Sequence, residues 1–424
     1  MRMIEGYQGF DQSTNWYALN PSDGATPYGR LSNPFPSGII YPPGSSLGLM
    51  NDIGLGAAGP IPSIDTVNPY EQSWSFGVQH QLPSNILLDV SYVGKKGTHL
   101  YFGGANGLNY LGRQIESYTP DQITALNTYV NNPFYGIITN PNSGLSAQTY
   151  PASQFQLPYP QFTGFSGDDP PWANSNYTAL QVKAEKRFSH GLQFLVTYVW
   201  SKSIDDASTT SGNVTWLGGT THLSDPNNRR LERGLSTFDI PSVLQFSYTY
   251  ELPIGRGKAI GADMPPVLNA IIGGWQTNGI WRVTDGRPMI LGLSGGQSLP
   301  TYGGQQPNIT ARLQCASSNR INQYFANPDA LVVPPPFTLG DAPRSDGSCR
   351  QPGQFNADLS IFKDFSLGFL REGARLQFRF ETYNALNHVQ FSGPDTTVNG
   401  GSFGVITSTA NGPREVQLAL KLYW

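Results

Sequence analysis

The chain has 424 residues, 13% charged and 12% aromatic, with 48 Gly, 34 Pro and a formal net charge of −3 at pH 7. Recurrent aromatic and β-branched residues argue against disorder, and no apolar run approaches the roughly 18–20 residues of a membrane-spanning helix. The near-neutral charge carries no basic stripe for nucleic acid and no acidic tether.

The opening Met1-Arg2-Met3-Ile4-Glu5-Gly6 has no apolar export core. An exported chain needs one, so the expectation is either a chain that is not exported or one without its natural N-terminus. Alternating segments then follow in order. Trp74–Leu82 is the first, and Pro83-Ser-Asn85 separates it from Ile86–Gly94. Thr178–Phe188 sets Leu180, Val182, Ala184 and Phe188 against Gln181, Lys183, Glu185 and Arg187. Ser189-His-Gly191 leads into Leu192–Trp200. Val243–Leu252, Trp275–Val283, Asn356–Phe365 and Arg375–Tyr383 continue the pattern, the last with Gln377, Arg379 and Glu381 on its polar side. In the final segment Val416, Leu418, Leu420, Leu422 and Trp424 share one parity, and the chain stops on the aromatic residue.

These segments are about nine to eleven residues long, enough for a tilted strand to cross a bilayer. Trp74, Tyr92, Trp200, Tyr250, Trp275 and Trp424 lie near segment ends, as interfacial aromatics do. Lys186 and Lys363 interrupt the outward face near strand ends, where each is expected to snorkel toward headgroups. Lys183, Glu185, Arg187, Arg375, Arg379 and Glu381 are expected to face a lumen. There they would touch a plug or permeating substrate, or only wet the wall and pair across strands.

Short and long connections alternate, with 83–85, 189–191, 253–274 and 366–374 at one end. The stretches 95–177, 201–242, 284–355 and 384–415 lie at the other. That is the rhythm of short periplasmic turns and long outer loops. Nine strands is an odd number, and an open sheet leaves unpaired edges in lipid. The expectation is an all-β, antiparallel transmembrane barrel, present in part: residues 1–73 a truncated outer loop, residues 74–424 its C-terminal strands.

Sites for chemistry are weak. Cys315 and Cys349 share one Pro/Gly/Ser-rich region and form either a loop-closing disulfide or two free thiols. His80, His99, His190, His222 and His388 have no metal spacing. Asp168-Asp169 and Asp205-Asp206 would be Ca²⁺ ligands or, more simply, solvated turn residues. Gly255-Arg-Gly257 and Gly303-Gly304 lack a phosphate-loop context. No enzyme, metal or cofactor is expected.

Several stretches resemble the barrel of Oar-like TonB-dependent transporters. They are Asn68–Trp74, Ser91–Leu100, Tyr198–Asp206, Arg233–Pro241, Tyr250–Gly257, Gly273–Gly279, Asp358–Phe365 and Phe380–His388, in the family's order. The resemblance implies a 22-strand outer-membrane barrel with a luminal plug, energised by TonB. This chain resembles about the last nine strands. A signal peptide, a carboxypeptidase-regulatory-like domain, a TonB box, the plug and the first barrel strands have no counterpart in it. The implied partners are outer-membrane lipid, the missing plug and N-terminal barrel, the TonB complex through that missing region, and the barrel-assembly machinery that handles the terminal strand. The competing expectations are a structural or adhesive surface barrel, a secreted soluble β-sandwich, and a truncated product without activity of its own.

Overall fold

The computed structural model describes residues 67–424 except 101–108, 110, 112, 140–142, 167–170, 209–224, 226–227 and 297–304, with short stretches between Thr14 and Ala58. Much of the expected outer loop 1–73 lies outside the described residues, as do Asp168, Asp169, His222 and Gly303-Gly304.

Period-2 patterning produces nine long strands: β1 (Tyr70–Leu82), β2 (Ile86–Leu100), β3 (Ala173–Ser189), β4 (Leu192–Asp205), β5 (Ser242–Glu251), β6 (Trp275–Thr284), β7 (Gln354–Ser366), β8 (Arg375–Tyr383) and β9 (Glu415–Tyr423). Each pairs antiparallel with the next in the chain, and Gly234–Leu235 adds a short pairing to the end of β4. Among the described residues β1 and β9 do not pair, so the sheet keeps two open edges.

Register keeps the two parities apart across the sheet. One row runs His80, Leu88, Ala184, Val196, Phe246, Trp281 and Ala357. Its neighbour on the opposite face runs Gln79, Asp89, Lys183, Thr197, Gln245, Arg282 and Asn356. A one-residue slip would exchange these faces. The tight connections hold the register. Ser84 and Asn85 adopt φ of 65° and 61°, and His190-Gly191 adopt 52° and 76°, the left-handed pair of a two-residue hairpin.

Three features depart from the sequence reading. First, β1 to β4 overrun their expected loop-side ends; β2 continues to Leu100 and β4 to Asp205. Second, the long links are not structureless. Met289, Leu291, Leu313, Phe325, Leu331, Val398 and Ile406 form a buried cluster drawn from links 285–353 and 384–414. Leu111, Ile115, Ile123, Leu126 and Leu157 form another in link 101–172, around helix α1 (Pro120–Leu126). Thr119 and Gln122 close a capping box on α1.

Third, the Lys186 and Lys363 ammoniums end on turn-side backbone groups, not in open solvent. Both are buried, at 8% and 5% exposure. Lys186 Nζ donates to the Ser84 carbonyl at 2.6 Å and to Ser189 Oγ at 2.7 Å. Lys363 Nζ donates to the carbonyls of Ala270 at 2.6 Å and Asn269 at 3.2 Å, in the last turn of helix α2 (Pro266–Ile272). A buried ammonium needs acceptors, and the free carbonyls at a helix C-terminus supply them with a favourable dipole. Lys363→Glu would set a carboxylate against those carbonyls. It should lower the temperature at which the folded band is lost on unheated-to-heated gel series by several degrees, while Lys363→Arg stays near wild type.

Candidate functional site

The polar parity lines a cleft of about 720 Å³ at the turn half of the sheet. Strands β3 to β8 each contribute, because register aligns Gln193, Thr249, Asn278, Ser360 and Glu381 in one row. Four of the six charged residues expected in a lumen line it: Glu185, Arg187, Arg379 and Glu381. Lys183 and Arg375 stand outside it. Lys183 nonetheless pairs with Glu185 at 2.8 Å. Arg375 lies 3.8 Å from Asp364 and stacks over Tyr423 at 4.3 Å.

Arg379, Glu381 and Asp358 in the cleft are engaged with neighbouring side chains and backbone. Arg379 Nη2 meets Glu381 Oε1 at 2.8 Å, its Nη1 donates to Gln377 Oε1 at 3.2 Å, and its guanidinium lies 5.2 Å from the Phe362 ring. Asp358 accepts from the Asn384 backbone N–H at 2.8 Å and from Asn356 Nδ2 at 3.0 Å. Phe188, Leu195 and Ile280 add apolar patches, and Gln193, Ser247, Thr249, Asn278 and Ser360 add uncharged donors and acceptors. Charge-based reading of the sequence passed these over, although their parity marks them equally well. Such a wall can hydrogen-bond a polar surface but holds no activated nucleophile.

On the apolar face the aromatics form two levels. Trp74, Tyr92 and Trp200 lie toward the loop end, and Tyr250, Trp275 and Trp424 toward the turn end. Tyr250 pairs with Leu192, so the two levels are eight residues apart on β4, roughly 26 Å along a strand and about 20 Å after a 40° tilt. Trp275 Nε1 donates to the Ile271 carbonyl at 2.9 Å. Val416, Leu418, Leu420 and Leu422 are exposed along β9, and Trp424 is 82% exposed.

Above the loop end, side chains knit separate links together. Asp205 is not a solvated turn residue. It is buried and ion-paired with Arg344, which also donates to the carbonyls of Glu232 at 2.9 Å and Asp205 at 3.1 Å. Arg350 pairs with buried Asp239 at 2.6 Å, and Asp239 also accepts the Ser203 N–H at 2.6 Å. These partners stand over a hundred residues apart in the chain, with no local signal to reveal them. Cys315 and Cys349 are joined by a disulfide with Cα atoms 5.2 Å apart, against the Met289–Phe325 cluster. Burial pushes the Tyr324 hydroxyl above its ordinary pKa, and it donates to the Arg350 carbonyl at 2.7 Å. Asp395 is held below the ordinary carboxylate range by the Ser402 hydroxyl and the Thr397 N–H. Among the described residues no three His, Cys, Asp or Glu side chains gather as a metal site.

Arg344→Ala leaves the buried Asp205 carboxylate unpaired, a loss of about 3–5 kcal/mol for such a pair. Limited proteolysis should then cut within 206–241 and 285–353 many times faster while the strands stay protected. Reduction of Cys315–Cys349 releases a closure worth about 2–4 kcal/mol. It should sensitise 315–349 to protease without altering the gel mobility of unheated protein.

Residues 3–417 match the protein family described as outer membrane beta barrel domain. Solved structures similar to this chain include two outer-membrane proteins. The outer membrane transporter YddB from Escherichia coli is 9% identical, with a TM-score of 0.40 over 88% of this chain and 35% of that one. FpvA of P. aeruginosa, solved with a heterologous pyoverdine and iron, is 10% identical, with a TM-score of 0.32 over 82% of this chain and 26% of that one. The chain thus spans about a third of YddB's length or less of FpvA's. No curated protein matches it.

Proposed function

Because the chain belongs to the outer membrane β-barrel domain family, a barrel of the outer membrane, we propose that it forms the C-terminal wall of a TonB-dependent transporter that takes up a polar solute. The observation that carries this is one predominantly polar parity held in register from β1 to β9, with its cleft on β3 to β8. In a membrane barrel the apolar parity meets lipid and the polar parity meets the lumen. The turn end is then periplasmic and the loop end external.

The cleft wall suits a partner that presents many neutral hydrogen-bonding groups. A plug domain and a passing solute both fit that description. The paired Arg379 and Glu381 would contact either without leaving a bare charge when the lumen is empty. TonB, the plug and the remaining barrel strands are the partners this reading requires. An alternative reading, a structural or adhesive surface barrel, draws on the loop layer with its own apolar cores and disulfide.

Nutrient-depletion profiles separate the two. Cells lacking this protein and cells lacking TonB should fail to consume a shared compound. If every compound lost in the first strain is still taken up in the second, energised uptake is wrong. Within the cleft, Arg379→Ala with Glu381→Ala removes both charges together and leaves neither unpaired, so folding should hold. Uptake of that compound should fall several-fold.

A further inference from the structure

A second cavity, of about 690 Å³, opens on the opposite face of the sheet at its loop end. Tyr92, Leu180 and Trp200 line it, adjacent in register on β2, β3 and β4. All three belong to the apolar parity and are 44%, 37% and 61% exposed. Leu235 joins them because it pairs with Ile204, which shares that parity. Link 285–353 folds over this floor and contributes Arg312, Gly347, Ser348 and Arg350.

The charges around the cavity are unequal. Asp239 is its acidic residue, and it is committed to Arg350 and to the Ser203 N–H. Arg350 is likewise committed, its Nη1 donating to the carbonyls of Asp239 at 3.1 Å and Gly286 at 3.2 Å. Lys202 and Arg312 are exposed and have no side-chain partner among the described residues. The cavity therefore joins an aromatic, apolar floor to two cations unengaged among the described residues, at the level of the external aromatic girdle.

That level is where the hydrocarbon of the outer leaflet gives way to headgroups. A soluble anion would satisfy the cations but leave the floor wet. A zwitterionic lipid would cover the floor but leave the cations without a net countercharge. We propose that the cavity holds one outer-leaflet lipid with a phosphorylated headgroup. Lys202 and Arg312 engage its phosphate, and Tyr92, Leu180 and Trp200 pack against the upper part of its chains. The proposal rests on the apolar face meeting lipid and is independent of transport.

The test uses the protein extracted from outer membranes in mild detergent and exchanged into three defined lipids: bisphosphorylated lipid A, its dephosphorylated form, and phosphatidylethanolamine. Native mass spectrometry counts what stays bound. One bisphosphorylated lipid A should be retained over the other two. In Lys202→Gln with Arg312→Gln its affinity should fall about tenfold or more, with the mobility of unheated protein unchanged. Where that double variant does not assemble, Lys202→Gln alone should show a smaller loss in the same direction. Trp200→Ala should weaken phosphorylated and dephosphorylated forms alike. Equal retention of the two lipid A forms, or unchanged affinity in the cation variants, overturns the site. Displacement of the lipid by millimolar inorganic phosphate alone overturns the lipid as occupant.

Discussion

A strand in hydrocarbon can send its N–H and C=O groups only to a neighbouring strand. That single constraint sets a fixed antiparallel register from β1 to β9, and register in turn decides which side chains share a face. Irregularities in the pairing are kept to the ends of strands, between Gly97 and Leu100 and between Lys186 and Ser189. A bulge in the middle would have turned half a strand's apolar residues toward the polar cleft.

Buried cations are handled in two ways, according to where they sit. On the apolar face, Lys186 and Lys363 are solvated by backbone carbonyls and, for Lys186, the Ser189 hydroxyl, without bringing a second charge into the sheet. In the loop layer, Arg344 and Arg350 use carboxylates, Asp205 and Asp239, and so fasten distant links to the end of β4. The first solution is local and tolerant. The second is specific, because removing either partner strands the other in a buried position.

The sheet was legible in the sequence because alternation is a local, period-2 signal. It remained readable through Thr178–Phe188 and Arg375–Tyr383 even with charged residues on one side. It failed at the loop-side ends. In Gly94-Lys-Lys-Gly-Thr98 both parities are polar, so the binary pattern vanishes while the pairing with β1 continues. Helix α1 carried a readable signature in Thr119 and Gln122, but α2, with the sequence PVLNAII, has no polar face to announce its period. Half of the cleft's character was missed for a related reason. Charges at Glu185 and Arg379 draw notice, whereas Ser247, Thr249 and Asn278 become significant only once register sets them side by side.

The unequal strand lengths also shape the mouth. β2 and β3 run to 15 and 17 residues, β8 and β9 to 9 each. An eight-residue difference between β3 and β9 amounts to roughly 26 Å along a strand. The sheet thus passes from long strands at β2 to β4 to short ones at β8 and β9. Link 285–353, which joins β6 to β7, is fastened to the long strands where Arg344 meets Asp205. In the barrel proposed above, the side that carries β2 to β4 would stand higher than the side that carries β8 and β9.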